Sequence, residues 1–546
     1  MTVKTISTTA FNDQKPGTSG LRKKTRSFMV PHYLENYVAA TFTAIGGGSG
    51  KSFVLGGDGR FFNREAIQTI LKMAAAQGAA RVIVGQGGLL STPAASHLIR
   101  LNGADGGFIL SASHNPGGID ADFGLKFNAA NGGPASEALT ARIYDATLAI
   151  ESYDVADVED VNLDTVGQTQ IGDMVIDVVD PVADYGDLMA SLFDFDAIRA
   201  LFAGGFTMRF DAMHAVTGPY AHAILEDTLG AAKGTVVNGI PSEDFGKGHP
   251  DPNPIWAKEL MDLMLSDAAP DMGAASDGDG DRNMIVGKGT YITPSDSLAM
   301  LAANAHLAPA YRDGIAGIAR SMPTSAAADR VAEALGVPCF ETPTGWKFFG
   351  TLLDAGRVTI CGEESAGTGS HHVREKDGLW AVLLWLNILA ARDMTVAQVQ
   401  ADHWQRFGRN YYARHDYEAV ESARAEAMMA HLRGQLDTLA GQSFAGLTVT
   451  KADDFAYTDP VDGSTSAAQG IRLFFEGGAR AVFRLSGTGT EGATIRLYLE
   501  QFMDTGDHTA PVDQVLDQVR QAALEISDLP ALTGRTAPDV KTAKNQ

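Results

Sequence analysis

Short apolar runs recur along most of the chain, and each is followed by a polar, glycine-bearing stretch. Phe53-Val54-Leu55, Val82-Ile83-Val84, Phe108-Ile109-Leu110, Thr207-Met208-Arg209-Phe210 and Val358-Thr359-Ile360 read as short buried strands. Between them lie helical spacings. Over residues 65–77, Ile67, Ile70, Leu71 and Met73 share one side, and residues 197–202 form a second such stretch. Strand and helix patterns in alternation predict βαβ units with parallel pairing. A second α/β unit begins near residue 182 and a third near 294. Residues beyond 411 differ: a helix at 422–432 is set among strand-like runs, which predicts a separate α+β domain. The expected division is 1–181, 182–293, 294–405 and 406–546, and the expected class is α/β with mixed sheets plus a C-terminal α+β domain. Residues 151–170 read as an acidic surface excursion, and 536–546 as a frayed polar tail.

The strand Phe108-Ile109-Leu110 runs into Ser111-Ala112-Ser113-His114-Asn115-Pro116-Gly117-Gly118. Proline fixes its own φ and glycine permits positive φ, so the chain must turn here. That places a serine hydroxyl at a strand tip beside a histidine, as a nucleophile or phosphoryl carrier requires. The same eight residues also suit a surface turn with a capping serine. Lys126, in Asp122-Phe123-Gly124-Leu125-Lys126, is a candidate for handling a proton or charge near Ser113.

Ser276-Asp277-Gly278-Asp279-Gly280-Asp281-Arg282 carries three carboxylates at i, i+2 and i+4. Hard oxygen donors so close together suit Mg²⁺ or Ca²⁺. An EF-hand is excluded, because its sixth position is Arg282 and its twelfth Lys288. A Mg²⁺ with few protein ligands, completed by a phosphate oxygen, fits better, with Arg282 reaching that phosphate.

Other loops are weaker alone. Lys15 to Lys24, with Gly17, Gly20, Arg22 and three consecutive cations, suits an anion or a mobile basic arm. Residues 45–52 imitate a Walker A loop, but Ile45 replaces its first glycine and the strand follows rather than precedes, so the stretch is a turn. Glu341 to Lys347 is a loop between elements. Gly362-Glu363-Glu364-Ser365 can bond sugar hydroxyls, with His371, His372, Arg374 and Lys376 adding charge nearby. Ser486-Gly487-Thr488-Gly489-Thr490, flanked by Arg484 and Arg496, suits a phosphate. His214 reads as structural, and Pro250 to Pro254 as a rigid loop without chemistry.

Composition narrows the partners. The 546 residues carry 43 basic and 66 acidic side chains, a net charge of −23, which disfavours nucleic acid and anionic membranes. Two cysteines form no disulfide framework, residues 1–11 lack an apolar leader core, and the apolar stretch 379–391, broken by Asn387, is a buried helix too short to span a bilayer. A cytoplasmic protein is expected.

In this order and over nearly the whole length, these motifs resemble the eukaryotic-type phosphoglucomutases of the α-D-phosphohexomutase superfamily. The match includes Lys15 to Lys24, the serine loop, Asn131-Gly132-Gly133-Pro134, Asp211 to Tyr220, Glu243-Asp244-Phe245, the aspartate turn, Thr344 to Gly350, Cys361 to Gly369, Arg374 to Trp380 and Arg484 to Leu499. The resemblance implies a four-domain monomer around a central cleft, acting on a hexose phosphate through glucose 1,6-bisphosphate. It implies that Ser113 is the phosphoserine and holds Mg²⁺ with Asp277, Asp279 and Asp281. Arg22, His114, Lys126, Arg282 and Lys376 would line the catalytic centre, beside Thr18. Thr344, Gly345, Glu363 and Ser365 would meet the sugar. Arg484, Ser486, Gly487, Thr488, Gly489 and Arg496 would hold the distal phosphate. Ser111 stands where the family usually has threonine, His371 replaces an acidic residue, and Glu491 puts an acid in the distal loop.

Overall fold

The computed structural model describes residues 1–17, 19–489 and 492–542, and of 487–489 the backbone only. Three α/β domains are followed by a C-terminal α+β domain. The first holds a seven-stranded sheet in which Ser52–Gly57 pairs in parallel with Arg81–Leu89 and with Gly106–Leu110. Asp122–Ala129 then adds antiparallel to Gly106–Leu110, and Leu21–Lys24 closes that edge. In the second, Met208–Asp211 pairs in parallel with Met272–Ser276, which is antiparallel to Asn283–Gly287. In the third, Ile318–Ser321 pairs in parallel with Cys339–Thr342 and Ile360–Gly362, and Thr368–Ser370 is antiparallel to the latter.

One topological position is therefore used three times. Each sheet has a strand that runs parallel to its centre and returns through a short loop into an antiparallel neighbour. Ser113 sits in that loop in the first domain, the three aspartates in the second, and Glu363 and Ser365 in the third. Strand-end loops expose backbone and side-chain polar groups that the sheet does not consume, and so they are where ligands bind. The C-terminal domain has its own seven-stranded sheet, centred on the long antiparallel pair Ala479–Gly489 and Gly492–Met503.

The domains are joined by a shared core. The helix Gly378–Arg392 is buried from Gly378 to Leu389, with Trp380 and Trp385 fully covered, and packs in a cluster drawn from the first three domains. Each buried leucine there contributes about 1.5–3 kcal/mol of transfer free energy, which accounts for the absence of a polar face. Among the described residues, no single helix is long and apolar enough to cross a membrane.

Four local expectations change. Leu21–Lys24 is a sheet strand, so the Lys15 to Lys24 segment is not a mobile arm. Within 151–170, which lies at the surface as expected, Ser152–Ala156 nevertheless pairs with Val3–Ser7 and Gly167–Ile171 edges the first sheet; residues 167–170 are exposed on both faces, so no apolar alternation marks that strand. In the tail, Val540–Lys541 pairs with Asp416 and His415, where backbone pairing outweighs polar composition. Glu341 and Thr342 belong to the strand Cys339–Thr342 rather than to a loop.

Candidate active site

Ser113 has a left-handed backbone, φ 53°, and is nearly fully buried. A non-glycine residue there carries strain that its surroundings must hold. Its N–H donates to Ser111 Oγ at 2.7 Å, and its carbonyl accepts from Arg60 Nη2 at 2.9 Å. Arg60 is itself fully buried, forked on Asp58 at 2.9 Å, and donates to the Asp122 carbonyl at 2.8 Å. A Cβ on Gly278 would lie 2.4 Å from the Ser113 carbonyl oxygen, so only glycine lets the aspartate turn approach this closely.

That approach brings the serine to the acids. Ser113 Oγ donates to Asp277 Oδ2 at 2.9 Å and stands 3.4 Å from His114 Nδ1. Asp277 Oδ1 accepts the N–H groups of Asp281 and Arg282 at 2.9 and 3.0 Å. Asp279 Oδ2 accepts from Thr92 Oγ1 at 2.6 Å and from Lys126 Nζ at 3.0 Å, while Lys376 Nζ lies 3.1 Å from Asp281 Oδ2.

The electrostatics are those of a charged, dry cluster. Burial first, then Asp281 and Asp279, push Asp277 well above the ordinary carboxylate range. Burial would also raise Asp279, but Lys126 and the Thr92 bond outweigh it and hold that carboxyl low. Lys126 is raised: burial would lower it, but Asp279, Glu375 and Asp281 prevail. His114 is held well below its usual value by burial and by Arg282 and Arg22, so its imidazole is neutral.

The residues fit a hard divalent ion. One carboxylate oxygen from each of Asp277, Asp279 and Asp281 lies within 4.8 Å of the others, and Asp279 Oδ1 and Asp281 Oδ1 are buried without a hydrogen-bond partner. Unpaired buried acceptors are costly unless a cation meets them.

A cleft of about 190 Å³ opens above this cluster. Arg22, Lys126, Asp281, Arg282, Thr344, Gly345, Glu363, Ser365, Lys376, Arg484 and Arg496 all line it, so all four domains contribute. Gly345 N–H donates to Glu363 Oε1 at 3.0 Å, tying the two expected sugar loops together. Arg484 and Arg496 are direct cross-strand partners, two like charges side by side, an arrangement that an anion stabilises. Ser486 lies two residues beyond Arg484 on the same strand, paired with Thr494. Thr18 and Glu491 lie outside the described residues, as does the side chain of Thr488; Gly487 and Gly489 are described by backbone only. Residues 13–154 match the model for phosphoglucomutase/phosphomannomutase domain I, 183–290 that for domain II, 294–407 that for domain III, and 409–539 that for the phosphoglucomutase-1 C-terminal domain.

The chain belongs to the phosphoglucomutase family. Among its phosphoglucomutase relatives, that of Rhizobium radiobacter is 59% identical, covering 99% of this chain and 100% of its own. The cytoplasmic phosphoglucomutase of Pisum sativum is 50% identical, covering 99% of each chain. The open form of parafusin, a phosphoglucomutase of Paramecium, superposes with a TM-score of 0.93 at 48% identity, covering 99% of each chain.

Membership does not explain every contact around the phosphoglucomutase cleft, and some residues escaped the sequence. Asp58 and Arg60 follow a strand in a glycine-rich turn whose only sequence signal was its position. Thr92 and Glu375 are ordinary in isolation. Glu375 is buried, accepts from Asn128 Nδ2 at 2.9 Å, and is pushed up to about 7 by burial, with Lys126 opposing. The Pro250 to Pro254 loop, expected to be inert, places Asp251 Oδ1 3.6 Å from Arg282 Nη1.

Proposed function

We propose that the chain interconverts α-D-glucose 1-phosphate and glucose 6-phosphate through a phosphorylated Ser113 and a glucose 1,6-bisphosphate intermediate. The observation that carries this reading is the 2.9 Å contact between Ser113 Oγ and Asp277 Oδ2, in the same cluster as Lys126, Asp281 and Lys376, which line a cleft that all four domains share.

Phosphoryl transfer is chiefly positioning and charge neutralisation. In the first half-reaction a substrate hydroxyl forms a bond to the phosphorus of phospho-Ser113 as the bond to Ser113 Oγ breaks, and the hydroxyl gives up its proton. After the bisphosphate turns over, Ser113 Oγ takes the other phosphoryl group and the product hydroxyl regains a proton. Arg22, Lys126, Arg282 and Lys376 face the transferring group with positive charge. His114, neutral and 3.4 Å from Ser113 Oγ, holds a proton acceptor at that atom without adding charge. Asp277, Asp279 and Asp281 would hold Mg²⁺, which when bound supplies Lewis-acid neutralisation of phosphoryl charge. Glu363 and Ser365, with Thr344 and Gly345, bind sugar hydroxyls, which serve either orientation because each is both donor and acceptor. Arg484 and Arg496, with Ser486 to Gly489, grip the phosphate that is not transferring. Thr18 is assigned to the same cleft by its place in the Lys15 to Lys24 motif.

The run Gly362-Glu363-Glu364-Ser365 favours glucose over mannose phosphates. The expected protein is a cytoplasmic monomer. The deciding experiment measures turnover of glucose 1-phosphate and mannose 1-phosphate with a trace of glucose 1,6-bisphosphate, together with intact mass before and after phosphatase. Preferred turnover of the glucose ester and a phosphatase-sensitive phosphoryl group on Ser113 are expected. Turnover without any phosphoenzyme would overturn the mechanism.

A further inference from the structure

Two loops that the proposed function assigns to opposite ends of one substrate are tied through a single carboxylate. Glu341 lies on Cys339–Thr342, whose end leads directly into Thr344 and Gly345. Its Oε1 accepts from Arg320 Nη1 at 3.0 Å and from Arg480 Nη1 at 3.5 Å, and its Oε2 accepts from Arg472 Nη1. Arg320 belongs to the third domain. Arg480 lies on Ala479–Gly489, the strand that carries Ser486, and Arg472 on its neighbour Ile471–Phe475. All three guanidiniums are at least nine-tenths buried, so these pairs are poorly screened.

We propose that Glu341 is a positioning residue that sets the spacing between the sugar loop and the distal-phosphate loop. The proposal rests on the function assigned above. The geometry separates this role from holding the fold together. Each arginine keeps a carboxylate of its own: Arg320 has Asp329, Arg472 has Asp453 and Arg480 has Glu500. Arg480 also donates to the Met322 and Thr324 carbonyls at 3.0 and 2.8 Å. Removing the charge of Glu341 therefore leaves no guanidinium stranded and no domain detached. It removes the carboxylate shared by all three, and with it the cross-link from the strand Cys339–Thr342, which leads into Thr344 and Gly345, to the strand Ala479–Gly489, which carries Ser486. Among the described residues, the C-terminal domain also donates to or accepts from Pro323, Ala326, Arg330, Glu341, Thr351 and Glu364 of the third domain, so this hydrogen-bonded interface helps to set where the distal grip stands.

The test is Glu341→Gln, which keeps the shape and removes the charge. KM for glucose 1-phosphate and for glucose 6-phosphate should both rise about ten-fold while kcat falls less than about three-fold, because ground-state spacing is lost and the transfer centre is untouched. Binding of glucose 6-phosphate measured by calorimetry should weaken by the same factor, with an unfolding temperature close to that of the parent. Asp453→Asn is the companion variant: it removes a partner of Arg472 that does not face the sugar loop, and its KM should stay within about two-fold. An unchanged KM and affinity in Glu341→Gln, or an equal rise in Asp453→Asn, would overturn the proposal. Failure of the parent to turn over either ester would instead sink the assigned function.

Discussion

The Ser113 hydroxyl donates to the Asp277 carboxylate at 2.9 Å, across a domain boundary and 164 positions of sequence. The contact exists because a strained serine in one strand-end loop faces a glycine-cleared aspartate turn in another. The serine proposed as phosphoryl carrier and the aspartates proposed to hold a metal are thus brought into contact by two domains.

Removing the hydroxyl should remove the chemistry and little else. Ser113→Ala is expected to lower kcat/KM by about a thousandfold or more while urea unfolding shifts only slightly. A coupled assay for glucose 6-phosphate formation checks the first half, and intact mass should show no phosphoryl group at this position. Near-normal turnover would mean the serine is not the carrier.

The orphaned oxygens of Asp279 and Asp281 lead to a metal prediction. Chelator should abolish turnover and added Mg²⁺ should restore it. Asp281→Asn should weaken Mn²⁺ binding, read directly by electron paramagnetic resonance, by about ten-fold or more. Metal binding that survives this substitution would place the ion elsewhere.

Arg60 holds the Ser113 carbonyl from a fully buried pair with Asp58. Arg60→Met strands the Asp58 carboxylate and should cost about 3–5 kcal/mol of stability. The double variant Asp58→Asn/Arg60→Met should recover part of that loss, since no lone charge remains buried. Chemical denaturation of the three variants measures the coupling; simple additivity would show that the pair does not act as a unit.

His403 is buried and pushed down to about 3, chiefly by burial and then by Arg406. Its folded value is depressed relative to 6.5, so the neutral form contributes stability above pH 6.5 that is lost as pH falls toward 3. His415, down to about 4 through burial and Lys541, acts in the same direction. Each costs up to about 1.4 kcal/mol per pH unit in that window. His403→Phe should flatten the acid limb of a stability–pH curve between about pH 6.5 and 4. An unchanged slope would mean that this histidine is already open to water.

The two ends of the residue record differ in what determined them. Adjacent positions were enough for the strand before Ser113, the three aspartates at alternate positions, and the apolar run 379–391. Local backbone preference, like-charge crowding and the need to bury apolar surface act within a few residues, and so they leave a mark in sequence. Short-range alternation predicted βαβ units with parallel pairing and a distinct C-terminal domain, whereas the antiparallel strands that make the sheets mixed left no such local mark.

Tertiary structure alone decided what those pieces do to one another. Asp58 and Arg60 became the support of Ser113, Thr92 became a partner of Asp279, and Glu341 became a hub for three arginines only when separate domains met. The tail at Val540–Lys541 and the edge strand Gly167–Ile171 looked like loose surface because neither buries a whole face, and backbone pairing alone leaves little apolar pattern to show. Hydrogen bonds and ion pairs across domains depend on distances that no neighbouring residue encodes, so composition and spacing left them invisible until the chain was folded.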